Sequence, residues 1–157
     1  MSAKTKIPAT QRNALNAYTK LMRATGSVTA AMHRHLKDDG LTASQFGVLE
    51  ALYHLGPMCQ HELGAKILKT GGNMTMVIDN LEKRGMVIRK KDPHDRRYLR
   101  VSLTEKGNDL ISRVFPRHAM IAESVFAVLN PLELDRLGGL LNCLGRTAAG
   151  MVANENK

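Results

Sequence analysis

The residues whose types and spacing are most telling lie between Lys69 and Arg100, and they are hydrogen-bond donors and cations rather than a catalytic set. In TGGNMTMVIDNLEKRGMV, Thr70 opens a helix whose leading turns carry Gly71, Gly72, Asn73, Thr75 and Met76, with Lys69 just before it. An amide and a hydroxyl there can read base edges, and a methionine can touch a thymine methyl group. Two glycines let free backbone amides approach a phosphate closely. Next comes IRKKDPHDRR, in which Arg89, Lys90, Lys91, Arg96 and Arg97 crowd around a Pro-containing turn, with Arg100 beyond it. Flexible cations at that density suit backbone phosphates, which position a protein rather than specify a sequence. Asp95 and Arg97 are two apart and point the same way on an extended strand, so Asp95 can hold Arg97 in one rotamer for a narrow minor groove. Each residue singly has a plainer use as a cap, a tight turn or a solvated ion pair. Their combination carries the reading, because small polar groups on a leading helical turn followed by a basic hairpin describe a lobe shaped to hold duplex DNA.

Other chemistries find no foothold. There is no GxSxG, phosphate-binding loop, HExxH or dinucleotide fingerprint, so an enzyme is not expected. Cys59 and Cys143 fit no CxxC spacing and read as free thiols in a reducing compartment. Cys59 with His61 supplies only two metal ligands, and His33 and His35 fall on different helix faces. The six histidines therefore read as scattered surface residues, and no metal or other cofactor is called for. The charge balance points to an anionic partner. Lys and Arg total 23 against 14 acidic residues, and residues 66–106 hold 11 of those cations against five acids, whereas residues 107–157 balance five with five. The surplus thus coincides with the candidate contacts. No run of about 18 apolar residues occurs and the start MSAKTKIPATQ has no apolar core, so neither a membrane span nor a secretory signal is expected, and the cytoplasm is the expected location.

Holding these groups in place takes a helical scaffold. Leu15, Tyr18, Met22, Thr25, Met32 and Leu36 recur at helical spacing over about residues 11–37, and Asp38-Asp39-Gly40 ends that run. Thr42 and Gln45 form a capping box for a second helix with Phe46, Leu49, Leu52 and Tyr53 on its apolar face, stopped by Gly56-Pro57. A third helix over 60–68 turns Leu63 and Ile67 inward. A fourth, after Thr70, turns in Met74, Val77, Ile78 and Leu81, and Gly85 supplies a left-handed stop. The period then changes to that of strands at Val87-Ile88 and over Tyr98 to Leu103, giving a two-stranded hairpin. Thr104 caps a fifth helix to about residue 129, which Pro116 is expected to kink, and a sixth covers 132–152. The fold class is therefore mainly α with a small β-hairpin wing. A winged helix-turn-helix lobe over 41–104 lies within one unit of 1–157, and 10–37 and 105–152 form a dimerisation region. These terminal helices carry more apolar stripe than so small a lobe can cover, and they read as a two-fold interface matched to half-sites about 34 Å apart. The alternative is a private helical bundle in a monomer.

The stretches LTASQFGVLEALYHLGP, QHELGAKIL, TGGNMTMVIDNLEKRGMV and DPHDRRYLRVSLTEKG together resemble the multiple-antibiotic-resistance regulator (MarR) family of winged-helix repressors over nearly the whole length. The resemblance implies an obligate homodimer with reading helices in successive major grooves of an operator and wing arginines in the flanking minor groove. It also implies release of DNA on binding a small, often phenolic or otherwise aromatic, molecule. By residue, the family's wing aspartate and arginine fall on Asp95 and Arg97. The resemblance further points to a ligand space between the first, second and fifth helices, with Met32, His33, Phe46, Leu49 and Phe115 as wall residues. The same residues at helical spacing are more often ordinary core. Cys59 stands where the family commonly has Ser or Thr opening the third helix, which leaves that cap weaker or makes the position a thiol sensor. The expected function is a sequence-specific transcriptional regulator, a homodimeric repressor released by an aromatic effector. A redox-responsive regulator using Cys59 and a non-specific DNA-binding protein are the alternatives.

Overall fold

The computed structural model describes residues 7–67, 74–92, 95 and 97–155. In chain order the elements are α1 (Ala9–His33), a 3-10 segment (Arg34–Asp39), α2 (Ala43–Leu55), β1 (Met58–Cys59), α3 (Gln60–Ile67), α4 (Met74–Lys83), β2 (Val87–Lys91), β3 (Leu99–Leu103), α5 (Glu105–Phe126) and α6 (Pro131–Glu155). The chain divides between Ile121 and Ala122 into two compact units.

Local chemistry explains most boundaries. The Thr42 hydroxyl accepts from the Gln45 N–H at 3.2 Å and the Gln45 side chain accepts from the Thr42 N–H at 3.0 Å, which is the capping box expected at the start of α2. Helix α4 ends in a left-handed Gly85 at φ +70, with the Gly85 N–H donating to Glu82 and the Met86 N–H to Leu81, both at 2.9 Å. That paired arrangement satisfies the last free carbonyls of the helix. Thr104 caps α5 by accepting from the Gly107 N–H at 3.1 Å, and its hydroxyl donates to the Gly85 carbonyl at 2.7 Å. One hydroxyl thus ties the end of α4 to the start of α5. A Cβ at Gly107 would stand 1.9 Å from the Met86 carbonyl oxygen, so only glycine lets α5 pass so close to the wing strand. A second capping box, not anticipated from the Asn130-Pro131 break, opens α6: Asn130 and Glu133 exchange backbone-to-side-chain bonds at 2.9 and 3.0 Å.

The core lies in the first unit. Leu36, Leu49, Leu63, Ile78, Leu81 and Ile111 are fully buried, and α4 turns Met74, Val77, Ile78 and Leu81 inward as their spacing predicts. Four expectations need correction. The first helix tightens into the 3-10 segment at Arg34 rather than continuing as α-helix to residue 37, because left-handed Gly40 closes the turn with its N–H on the Leu36 and Lys37 carbonyls. Tyr53, placed on the apolar face of α2, is exposed, since the last turn of α2 runs beyond the core; its ring meets His54 and Phe115 instead. The wing is a three-stranded antiparallel sheet in the order β1-β3-β2, with Met58 opposite Val101 and Arg89 opposite Val101 on the other side. Two residues are too few for a strand to show in a sequence pattern. Helix α5, with Pro116 inside it, ends at Phe126 rather than near 129.

Candidate nucleic-acid interface

Burial of four side chains of α4 leaves its opposite face outward, and there Thr75 and Met76 are exposed. Thr75 is not a free hydroxyl, because Gln60 at the start of α3 donates to its oxygen at 2.6 Å. That bond pins the first turn of α4 to the first turn of α3 and leaves the Thr75 hydroxyl hydrogen to point elsewhere. Gln60 was not singled out in the sequence, where nothing marks its proximity to a residue fifteen positions on. Lys69, Thr70, Gly71, Gly72 and Asn73, which the sequence assigns to the leading end of the reading helix, lie outside the described residues.

In the wing, a cage of short bonds sets the turn. The Asp92 N–H donates to the Tyr98 carbonyl at 2.9 Å, the Tyr98 N–H to the Asp95 carbonyl at 3.0 Å, and the Asp95 N–H to the Asp92 carboxylate at 3.1 Å. On this frame Asp95 grips Arg97 as the spacing anticipates. Arg97 Nε lies 3.0 and 3.1 Å from the two carboxylate oxygens and Nη2 lies 2.6 Å from one of them, while the Arg97 N–H also donates to Asp95 at 3.1 Å. The Arg97 guanidinium holds the Asp95 carboxyl below the usual carboxylate range. The arginine is oriented yet remains 84% exposed, available to a further anion. Lys90 and Lys91 are exposed on β2, and Arg96 lies outside the described residues.

Two other wing cations are put to a different use from the phosphate contact foreseen for them. Arg89 is only 19% exposed and bridges Asp79 and Glu82 of α4, each at 2.6 Å, while its own N–H donates to Glu82 at 2.9 Å. That backbone donor first, and then the guanidinium, keep Glu82 below its ordinary range. Arg89 is thus a strut between wing and reading helix, its charge already balanced by two carboxylates. Arg100 reaches from β3 to the Pro57 carbonyl at 2.7 Å and to Asp92 at 3.3 Å, fixing the wing to the turn before α3. Cys59 takes part in β1 opposite Arg100, and the cap of α3 is made from the other side, since the Cys59 N–H donates to Glu62 at 2.6 Å. The third residue of the helix thus supplies one half of a capping box, and Cys59, which has no side-chain oxygen, cannot return the other.

The candidate ligand wall is gathered only in part. His33 and Phe46 line a cavity of about 460 Å³ between α1, α2, α3 and α5, together with Glu50, His54, Lys66 and His118. Leu49 is wholly buried core, half-buried Met32 is not part of this lining, and Phe115 packs edge-on against His54 at 4.6 Å between ring centres. Three of the histidines are not scattered, as their sequence positions had implied. His33, His35 and His118 converge, because the tightening of the chain at residue 34 swings His35 inward to 4% exposure. Among the described residues no group of three or more His, Cys, Asp or Glu is arranged to hold a metal ion, and no helix is long and apolar enough to cross a membrane.

Relatives agree with this geometry. Residues 41–99 match the model of the MarR family. The Bacillus subtilis (strain 168) transcriptional regulator MhqR is 37% identical over 134 residues, 85% of this chain and 92% of that one. An uncharacterized helix-turn-helix-type regulator of the same organism, YkoM, is 39% identical over 132 residues, covering 84% and 86%. Among solved structures, Bordetella bronchiseptica BpsR, whose DNA binding is regulated by 6-hydroxynicotinic acid, superimposes with a TM-score of 0.73 at 31% identity over 81% of this chain and 91% of that one. With its helix-turn-helix, wing and sequence kinship in accord, the chain belongs to the MarR family of DNA-binding transcriptional regulators.

Proposed function

We propose that this regulator acts in the cytoplasm as a homodimer, lays one reading helix per copy into successive major grooves of a palindromic operator, and represses transcription until a small aromatic molecule binds. The observation that carries this reading is the pairing of an outward, polar-and-methionine face on α4 with an exposed arginine that Asp95 has already oriented. Thr75 and Met76 contact base edges, Lys91 contacts phosphate, and Arg97 enters the flanking minor groove. Arg89 and Arg100 keep wing and helix in register for those contacts. The dimer rests on uncovered apolar side chains in both units: Leu15, Tyr18 and Met22 on α1, and Leu140, Leu144 and Met151 on α6, all more than half exposed. Stripes of that kind are buried against a second copy. The effector reading is supported by BpsR, which answers to an aromatic acid, and by a cavity of suitable size that combines Phe46 with imidazoles. A ligand preferring the dimer with wrongly spaced lobes by a few kcal/mol empties the operator.

Selection of bound duplexes from a random pool at near-physiological salt tests the first part. A palindromic consensus with half-sites one helical turn apart is expected, and equal retention of all duplexes would refute sequence-specific binding. Titration of the resulting complex with phenols and hydroxylated aromatic acids tests the second, and an affinity that none of them changes would remove the effector from the reading.

A further inference from the structure

A buried imidazole, His35, and a half-buried one, His118, join the 3-10 segment to α5, away from the DNA-facing residues. His35 Nε2 and His118 Nδ1 lie 3.0 Å apart, so one hydrogen is shared between two rings that each keep one more nitrogen. His35 Nδ1 is buried without a hydrogen-bond partner among the described residues. A bare lone pair is tolerable at such a position, whereas an N–H lacking an acceptor is costly. The neutral pair therefore rests with His35 Nε2–H donating to His118 Nδ1 and with the second hydrogen on the His118 side. A third proton finds no good position. On His35 Nδ1 it makes a buried cation with no acceptor, and on the shared side it sets N–H against N–H.

The surroundings sharpen this. His33 of α1 stacks on His118 at 6.2 Å between centres, and Phe46 of α2 lies against it at 4.4 Å, supplying no charge. Arg34 and Arg117 line the hollow beside His35. The nearest counter-charges, Asp38 and Asp39, are themselves engaged with Arg117 at 2.9 Å and Arg113 at 4.0 Å. On the cavity side, His118 shares its walls with Glu50 and His54 of α2 and with Lys66 of α3. Burial first, and then Arg117 beside His35 and the imidazoles of His35 and His33 beside His118, hold both rings below the ordinary imidazole value, against smaller opposing pulls from the Asp38 and Asp39 carboxylates on His35 and the Met32 carbonyl on His118.

We propose that the His35–His118 pair is an acid-operated catch, in which one added proton separates the rings and frees the 3-10 segment from α5. Among the described residues the other polar bridges between these elements are Arg–Asp ion pairs, so the imidazole pair is the contact that mild acid addresses. The sign follows from linkage. A ring whose folded pKa is depressed stays neutral in the native chain while the unfolded chain takes up protons. Stability is therefore flat above the ordinary value near 6.5 and declines as pH falls from there towards the lower folded value. The 3-10 segment leads into α2 and α5 follows directly from the wing, so releasing the catch loosens the frame of the reading lobe and lowers DNA affinity.

The test follows imidazole ring signals of the full-length protein by NMR from about pH 8 to about pH 5, with amide exchange of residues 34–39 alongside. DNA affinity is measured at both ends of that range, at fixed salt, for wild type, His35→Gln and His118→Gln. We expect the two rings to titrate together and below the ordinary imidazole value, with exchange of the segment rising as they do. Wild type should lose about tenfold more affinity on acidification than either variant, since glutamine keeps a hydrogen bond but takes up no proton. Rings that titrate separately near the ordinary value, or equal acid slopes in wild type and variants, would overturn the catch. Should a variant fail to fold, the wild-type ring titration and exchange decide the matter alone.

Discussion

Arg89 and Arg97 are eight residues apart in the same basic hairpin, and their surroundings give them opposite tasks. Arg97 is gripped by one carboxylate and otherwise open to solvent, so it is poised rather than satisfied. Arg97→Ala should leave thermal melting unchanged, weaken DNA binding mainly at flanking A·T-rich positions, and reduce the slope of log affinity against log salt by about one. Asp95→Ala, which frees the arginine without removing it, should cause a smaller loss with the salt slope retained. Arg89 behaves as part of the scaffold. Its replacement by alanine leaves Asp79 and Glu82 uncompensated on α4, and we expect a loss of about 1–2 kcal/mol in denaturant unfolding with the salt slope of DNA binding little changed. A salt slope reduced as much as in Arg97→Ala would show that Arg89 reaches phosphate after all.

The elements are joined by a few hydrogen bonds at their ends. Thr104 starts α5 and holds the turn that ends α4, while Lys106 donates to the Arg84 carbonyl at 2.8 Å beside the negative end of α4. Gly107 lets this junction close. Gly107→Ala should destabilise the protein by about 2–3 kcal/mol, because the opposing atom is backbone and cannot swing away. The same change at Gly64, where an added Cβ meets nothing, should be neutral or slightly stabilising in the same thermal-melting assay. The start of α2 and the end of α4 were legible beforehand because a capping box and a left-handed glycine act within a handful of residues. The end of α1 was misread for the converse reason: a helix continuing as a tighter one keeps nearly the same apolar spacing, and left-handed Gly40 signals only where the run stops, not how its last turns are wound.

At the level of assembly, the uncovered apolar residues of α1 and α6 are the main liability of a single copy. Leu144→Glu places a charge in the α6 stripe, and sedimentation should show it shifting the protein towards monomer, with loss of binding to a palindromic site but not of weak binding to any duplex. An unchanged sedimentation coefficient would refute the proposed dimer through this stripe. If the proposed dimer forms, association adds stability by mass action, so the melting temperature of wild type should also rise with protein concentration, and that of the variant should not.

Read without coordinates, the chain already contained the helical periods of α2 to α6, the capping box of Thr42 and Gln45, the glycine stop after α4, and the adjacency of Asp95 and Arg97. All of these depend on interactions spanning a few residues, and such interactions leave periodic or punctuated traces in sequence. Folding alone brought Gln60 to Thr75, Arg89 to Asp79, Arg100 to Pro57, and His35 to His118 across 83 positions. Nothing local marks those partners. Two histidines or two opposite charges far apart in a chain look alike whether they meet or not, and only the packing of the core, which sets the distance between the helices and strands that carry them, brings them together.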